Sequence, residues 1–222
     1  MQARARQSLL HALRAGLARL PSASCVLRGR GLSQIGRALD QLDTLGPADA
    51  VDLATLRHYP EAAQWLAVGR ARGLPAYAEA RILLRSERDR YGRRHWLVPA
   101  AARAWQRMRE TAARDAVSLE LVSSFRSYAD QARIIGRKLR AGIDPLALYA
   151  VNAPPGFSEH HSGRAVDVAT AGAPVLTESF ELSAAYDWLC AHAGRFGFAL
   201  SYPRNNALGF IYEPWHWCYQ GD

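Results

Sequence analysis

SEHHSGRAVD, residues 158–167, puts two adjacent histidines, a glycine and an aspartate at what reads as the junction of a loop and a strand. The residues before it, VNAPPGF (151–157), carry Pro154, Pro155 and Gly156 and predict an irregular but rigid loop. The residues after it continue as RAVDVAT (164–170), a short strand. Side chains alternate across a strand, so Ala165, Asp167 and Ala169 share one face while Arg164, Val166 and Val168 share the other. A carboxylate among small apolar side chains is costly to bury unless it is paired or ligated. Gly163 permits a turn that a side chain would obstruct. His160 lies seven residues before Asp167, and a loop feeding a strand lets the two converge. His161, beside His160, is left to touch substrate, to lie behind the ligand or to be exposed to solvent.

A second stretch, EPWHW (213–217), supplies what the first lacks. Pro214 interrupts a regular strand, so Glu213 and His216 can turn toward one site. Catalytic zinc typically takes three protein ligands from His, Asp or Glu and leaves one position open. His160, Asp167 and His216 form such a set, and Glu213 is then free to act as a general base. Spacing alone leaves ordinary alternatives open: a histidine hydrogen-bonded at the surface, an aspartate that caps or pairs. HxxxxxxD is a weak pattern, and no HExxH helix accompanies it.

SEHHSGRAVD resembles the SxHxxGxAxD motif of D-alanyl-D-alanine carboxypeptidases of the VanY type, and EPWHW is similar to their ExxHW motif. LVSSFRSYADQ (121–131) resembles their S-x-[FY]-R-S-x-x-x-Q signature. The three occur in family order, and the resemblance covers about residues 95–220. It implies an α+β fold, a small and mainly antiparallel sheet flanked by helices, shared with the amino-terminal domain of hedgehog proteins. It implies one zinc ion per chain on His160, Asp167 and His216, with Glu213 as catalytic base. Arg126 would stabilise the scissile carbonyl or hold a substrate carboxylate, since a guanidinium is always charged and can bind two oxygens. Ser127, Gln131, Ser158 and Trp215 would support or contact substrate. The implied substrate is a peptidoglycan stem peptide or muropeptide, and the implied reaction removes its terminal D-alanine. An L,D-carboxypeptidase, a dipeptidase or an endopeptidase is compatible with the same motifs. So, with less support, is a non-catalytic zinc-containing binding module.

The rest of the 222-residue chain frames this reading. Helices are expected over 99–115, over 128–142 and as one long element within 176–197; a hairpin over 81–99; a strand over 118–125; and two closing strands, FALSYP and GFIYEPWHW. Residues 1–80 read as a helical region of unknown role, beginning with an amphipathic stretch on Leu9, Leu10, Leu13, Leu17 and Leu20, and residues 81–222 read as the catalytic domain. The charged fraction of 22% and the six tryptophans argue against disorder. No stretch approaches a membrane span, and no export signal is evident, which points to the cytoplasm while the substrate class points to the envelope. The net charge of +8 is almost entirely arginine, Lys138 being the one lysine. Such charge attracts any polyanion, but no recognition motif for nucleic acid accompanies it. The three cysteines, Cys25, Cys190 and Cys218, make no disulfide framework.

Overall fold

The loop, turn and strand read from residues 151–170 sit at the centre of a layered α+β structure. The computed structural model describes residues 25–26 and 53–221; the amphipathic stretch at Leu9–Leu20 lies outside them. Strand β1 (Cys25–Val26) runs parallel to β2 (Ile82–Arg88), and β2 pairs antiparallel with β3 (Arg94–Leu97). The second sheet is antiparallel throughout. Its order is β4 (Glu120–Ser123), β5 (Ala165–Ala169), β7 (His216–Tyr219) and β6 (Phe198–Leu200).

Between the two sheets in sequence, helix α3 (Pro99–Arg114) starts at Pro99, where a missing N–H costs nothing. Its buried stripe is Ala101, Ala104, Trp105, Met108 and Ala112. These residues share the main apolar cluster with Val166 and Val168 of β5 and Leu121 of β4. The other face of β5 thereby turns away from this core and carries Asp167. Every residue of β5 is buried, so the alternation seen in sequence separates an apolar core from a polar interior rather than from solvent.

Helix α4 (Tyr128–Arg140) begins with a reciprocal cap: Ser127 Oγ accepts from Asp130 N at 3.1 Å, and the Asp130 carboxylate accepts from Ser127 N at 3.4 Å. A short helix, α5 (Pro145–Val151), follows, with Asp144 capping Ala147 N and Pro145 in the first turn. The apolar run LALYAV was not expected to be helical, although an Asp-Pro start signal precedes it. The long helix expected within 176–197 is interrupted. A 3₁₀ turn (Glu178–Leu182) leads to Ser183, whose extended backbone and hydroxyl cap a new helix, α6 (Ala184–His192); a second 3₁₀ turn (Ala193–Phe196) then ends on Gly197. GFIYEPWHW is likewise not one strand. Pro214 lacks an N–H for a ladder, so pairing begins only at His216.

Upstream, helices α1 (Leu53–Leu56) and α2 (Ala62–Ala71) pack directly on this frame. Leu56 and Trp65 bury Tyr128 of α4. Gly69 of α2 abuts Phe157, so closely that a Cβ there would lie 2.3 Å from the ring. Arg72 extends this wall by donating to the carbonyls of Tyr149 and Leu208.

Gly163 is the hinge between the histidine turn and β5. Its φ of 68° is left-handed, and a Cβ there would meet Leu83 at 2.9 Å and Val98 at 3.1 Å. Gly163→Ala should therefore combine backbone strain with overpacking and lose about 2–4 kcal/mol, read from the denaturant midpoint of unfolding.

Candidate active site

Three short elements bring the polar residues together. Residues Glu159–Ser162 form a 3₁₀ turn that presents His160, and Gly163 ends it. Cross-strand register puts Asp167 of β5 directly opposite His216 of β7. A tight turn, in which His216 N donates to Glu213 O at 3.0 Å, carries Glu213 back beside His216; Pro214 at its second position presets the backbone. Donor atoms of His160, Asp167 and His216, all buried, lie within 4.8 Å of one another. Glu213 Oε2 lies 4.0 Å from His216 Nδ1 and is itself buried.

The Asp167 carboxylate bridges the two imidazoles. Oδ2 lies 3.2 Å from His160 Nε2, and Oδ1 lies 2.9 Å from His216 Nδ1. His160 Nδ1 donates to the Ser124 carbonyl at 2.7 Å, which fixes the tautomer and aims Nε2 at Asp167. Ser124 is pinned in turn, since its hydroxyl accepts from Trp96 N and contacts His95 Nδ1, both at 3.1 Å. Burial pushes the pKa of His160 down despite Asp167, which disfavours a proton on Nε2. A neutral Nε2 would leave a lone pair facing a carboxylate oxygen, an arrangement that calls for a cation between them. Burial would raise Asp167, but the charges and hydrogen bonds of His160 and His216 hold it well below the usual carboxylate range. Burial also disfavours a charge on His216, yet its hydrogen bonds to Asp167 and Glu159 push it up to about 10. Glu213 is pushed up to about 7, mainly by burial. Carboxylates thus outnumber permanent cations at this site. Two histidines and one aspartate are a donor set that a zinc ion accepts, so the residues present fit such an ion.

A groove of about 280 Å³ opens over this cluster, lined among others by Arg126, Gln131, Ser158, Trp215 and Glu213. Arg126 is held from both sides: Nη1 donates to Gln131 Oε1 at 2.8 Å and Nη2 to Ser123 Oγ at 3.0 Å. Gln131 also donates to Ala153 O at 2.6 Å, tying the bracket to the 151–157 loop.

The family model for VanY, D-alanyl-D-alanine carboxypeptidase, matches residues 94–222. This chain belongs to the VanY family. Among curated relatives, the bifunctional D-Ala-D-Ala dipeptidase and D-Ala-D-Ala carboxypeptidase VanXYC of Enterococcus gallinarum is 30% identical over 131 residues, 57% of this chain and 68% of that protein. The carboxypeptidase-named YodJ of Bacillus subtilis is 33% identical over 131 residues, 58% of this chain and 48% of YodJ, so the chain spans about half that relative's length. Two solved structures share the fold. The LdcB LD-carboxypeptidase is 25% identical with a TM-score of 0.56, over 65% of this chain and 75% of that one. A D,D-pentapeptidase VanY mutant from a VanB-type resistance cassette, in complex with Zn(II), is 28% identical with a TM-score of 0.50, over 61% of this chain and 78% of that one.

Within the VanY frame, the sequence reading missed or misplaced several residues. Glu159 is not a bystander. Its Oε2 accepts from His216 Nε2 at 2.8 Å and from Ser201 Oγ at 2.6 Å, and Tyr77 Oη donates to its Oε1 at 3.3 Å. With Nε2 held this way, His216 turns Nδ1 toward Asp167. His161 is not solvent-exposed but fully buried: Nδ1 donates to Arg126 O at 2.6 Å, and Nε2 accepts from Gly156 N at 3.2 Å. Burial pushes its pKa down to about 3, so it is a neutral staple between two loops. Ser127 supports this segment through the helix cap, its hydroxyl donating to Asp130 at 2.6 Å. Ser123, the serine that begins the RS signature, braces Arg126. Trp215 lines the groove, whereas Trp217 packs in the core with its indole N–H on Pro214 O at 3.0 Å. Cys218 is buried and Cys190 exposed.

Carboxylates that orient a ligating histidine typically contribute 10- to 100-fold to metal affinity. Glu159→Ala should therefore weaken zinc binding by about 10- to 100-fold in competition with a chromogenic chelator, with little change in far-UV circular dichroism.

Proposed function

We propose that this chain is a zinc-dependent carboxypeptidase that hydrolyses the terminal D-alanyl-D-alanine bond of peptidoglycan stem peptides. The observation that carries the reading is the buried His160–Asp167–His216 cluster with Glu213 held 4.0 Å from His216, inside a groove that also presents Arg126. Zinc held by the three ligands would supply Lewis acidity, polarising the scissile carbonyl and acidifying water. Glu213 takes the proton of the attacking water and returns it to the leaving amine. Burial, which pushes its pKa up to about 7, suits it to both transfers: the carboxylate becomes a stronger base toward the water, and its acid form is still far more acidic than the ammonium of the leaving amine. Arg126, locked by Gln131 and Ser123, offers a fixed guanidinium to the carbonyl oxygen or to the terminal carboxylate. Ser158 and Trp215 line the groove that would receive the substrate. Residues 81–222 act as the catalytic unit, with residues 53–80 as the outer support of the Phe157 loop.

A second reading changes only the bond cut. The likeness to an LD-carboxypeptidase, the higher TM-score of the two structures compared, favours removal of a D-alanine that follows an L-configured centre. Defined tetra- and pentapeptide stems, with products read by mass spectrometry, separate the two. Release of one D-alanine from the pentapeptide supports the first reading, and release from the tetrapeptide alone supports the second.

Glu213→Gln should keep zinc but lower kcat by on the order of 10²–10⁴-fold. His216→Ala should lose zinc outright by metal analysis. Full zinc retention in His216→Ala, or an undiminished rate in Glu213→Gln, would remove the corresponding assignment. Dialysis against a chelator should abolish hydrolysis by the parent chain, and added zinc should restore it.

A further inference from the structure

One cation in the groove has no part in this chemistry. Lys138, the single lysine among 28 basic residues, lines the same groove as Arg126, Glu213 and His216. It continues the inward stripe of α4 that begins with Tyr128, Gln131 and Ile135. Seven residues separate it from Gln131, which is two turns or about 10 Å along the helix. Gln131 holds Arg126, so the groove has cations toward both ends of this stretch.

Neither cation is neutralised by direct contact with a carboxylate. The acceptors of the Arg126 side chain are the amide of Gln131 and the hydroxyl of Ser123. Lys138 Nζ donates to the neutral Asn152 Oδ1 at 3.1 Å, and no described carboxylate lies within 4.0 Å of it. Arg90, Arg93, Arg109 and Arg204 take carboxylates, whereas Arg72 and Arg88 donate to backbone carbonyls. An ammonium has three donors, so Lys138 retains capacity for an incoming acceptor. Partial burial, with Arg126 and Arg137 nearby, disfavours its charge, and an arriving anion would relieve this.

Carboxypeptidase chemistry requires one substrate carboxylate, at the C-terminus. A second cation two helical turns from the residue that holds Arg126, a rise spanned by about three extended residues, matches a second carboxylate. We propose that Lys138 is a specificity-determining residue that pairs with a free side-chain carboxylate two or three residues before the substrate's C-terminus. The preferred stem peptide is then a dianion. This rests on the carboxypeptidase reading above.

A plainer role exists for Lys138: pegging Asn152 at the end of α5. The test must therefore read a selectivity ratio rather than a rate. N-acetyl-X-D-Ala-D-Ala peptides are assayed with the zinc-loaded full chain, X being diaminopimelate with a free carboxylate, its carboxamide, or lysine. The parent chain should favour the free carboxylate in kcat/KM by about 10-fold or more over the carboxamide, as expected for a charge-assisted pair. Lys138→Met should collapse this ratio to about one, Lys138→Arg should preserve most of it, and Lys138→Glu should shift preference toward X = lysine. A parent chain indifferent to the carboxylate overturns the proposal, as does a Lys138→Met variant that slows all peptides in proportion. If the parent chain turns over none of the peptides, the carboxypeptidase reading fails and takes this one with it.

Discussion

A buried aspartate shared between two imidazoles is the constraint around which the structure is arranged. Asp167 is directly opposite His216 because β5 and β7 pair in one register, and a slip of one residue would turn the carboxylate into the apolar core. That register is enforced from behind by Val166 and Val168, which enter the cluster around Trp105 and Met108. The apolar packing and the polar centre are two faces of one strand. Neither could be rearranged without the other, and the cost of burying the carboxylate is met only where both histidines reach it.

The groups around this centre are held by backbone as much as by side chains. The carbonyls of Ser124 and Arg126 accept from His160 and His161, while Arg126 N donates to His160 O at 3.1 Å. The histidine turn and the Arg126 segment are thus stitched together by three hydrogen bonds across a sequence gap of more than thirty residues. Gln131 extends the stitching to the 151–157 loop, and Glu159 extends it to β7. The outcome is a site whose charged atoms are held by the protein's own hydrogen bonds, the condition under which electrostatic stabilisation acts without reorganisation.

The described part of the amino-terminal region belongs to this arrangement. Gly69 lets α2 approach Phe157 at ring contact, and Tyr77 reaches Glu159. Packed contacts thus cross the 80/81 boundary, which marks where the motif-bearing part begins, and the region outside the family motifs contributes a hydrogen bond to a residue that orients His216.

Local pattern brought His160, Asp167 and His216 forward as candidates, the motif resemblance singled them out, and the structure brings their donor atoms within 4.8 Å of one another. His160, Gly163 and Asp167 lie within one turn and strand, and Glu213, Pro214 and His216 within one turn, so their geometry follows from chain stiffness and side-chain alternation over a few residues. The same local grammar failed where two signals competed. Apolar periodicity ran through Ser183, but the serine cap broke the helix, and strand-like residues ran through Pro214, but the missing N–H delayed pairing. The roles of Glu159, His161, Ser123 and Lys138 were not legible, because each depends on a partner distant in sequence or on which face of an element is covered. Periodicity states that a residue has two possible sides. Only the packed sheet, by choosing a register, decides which side is the groove, and only the docking of the 3₁₀ turn on the carbonyls of Ser124 and Arg126 makes one of two adjacent histidines a candidate ligand and the other a buried staple.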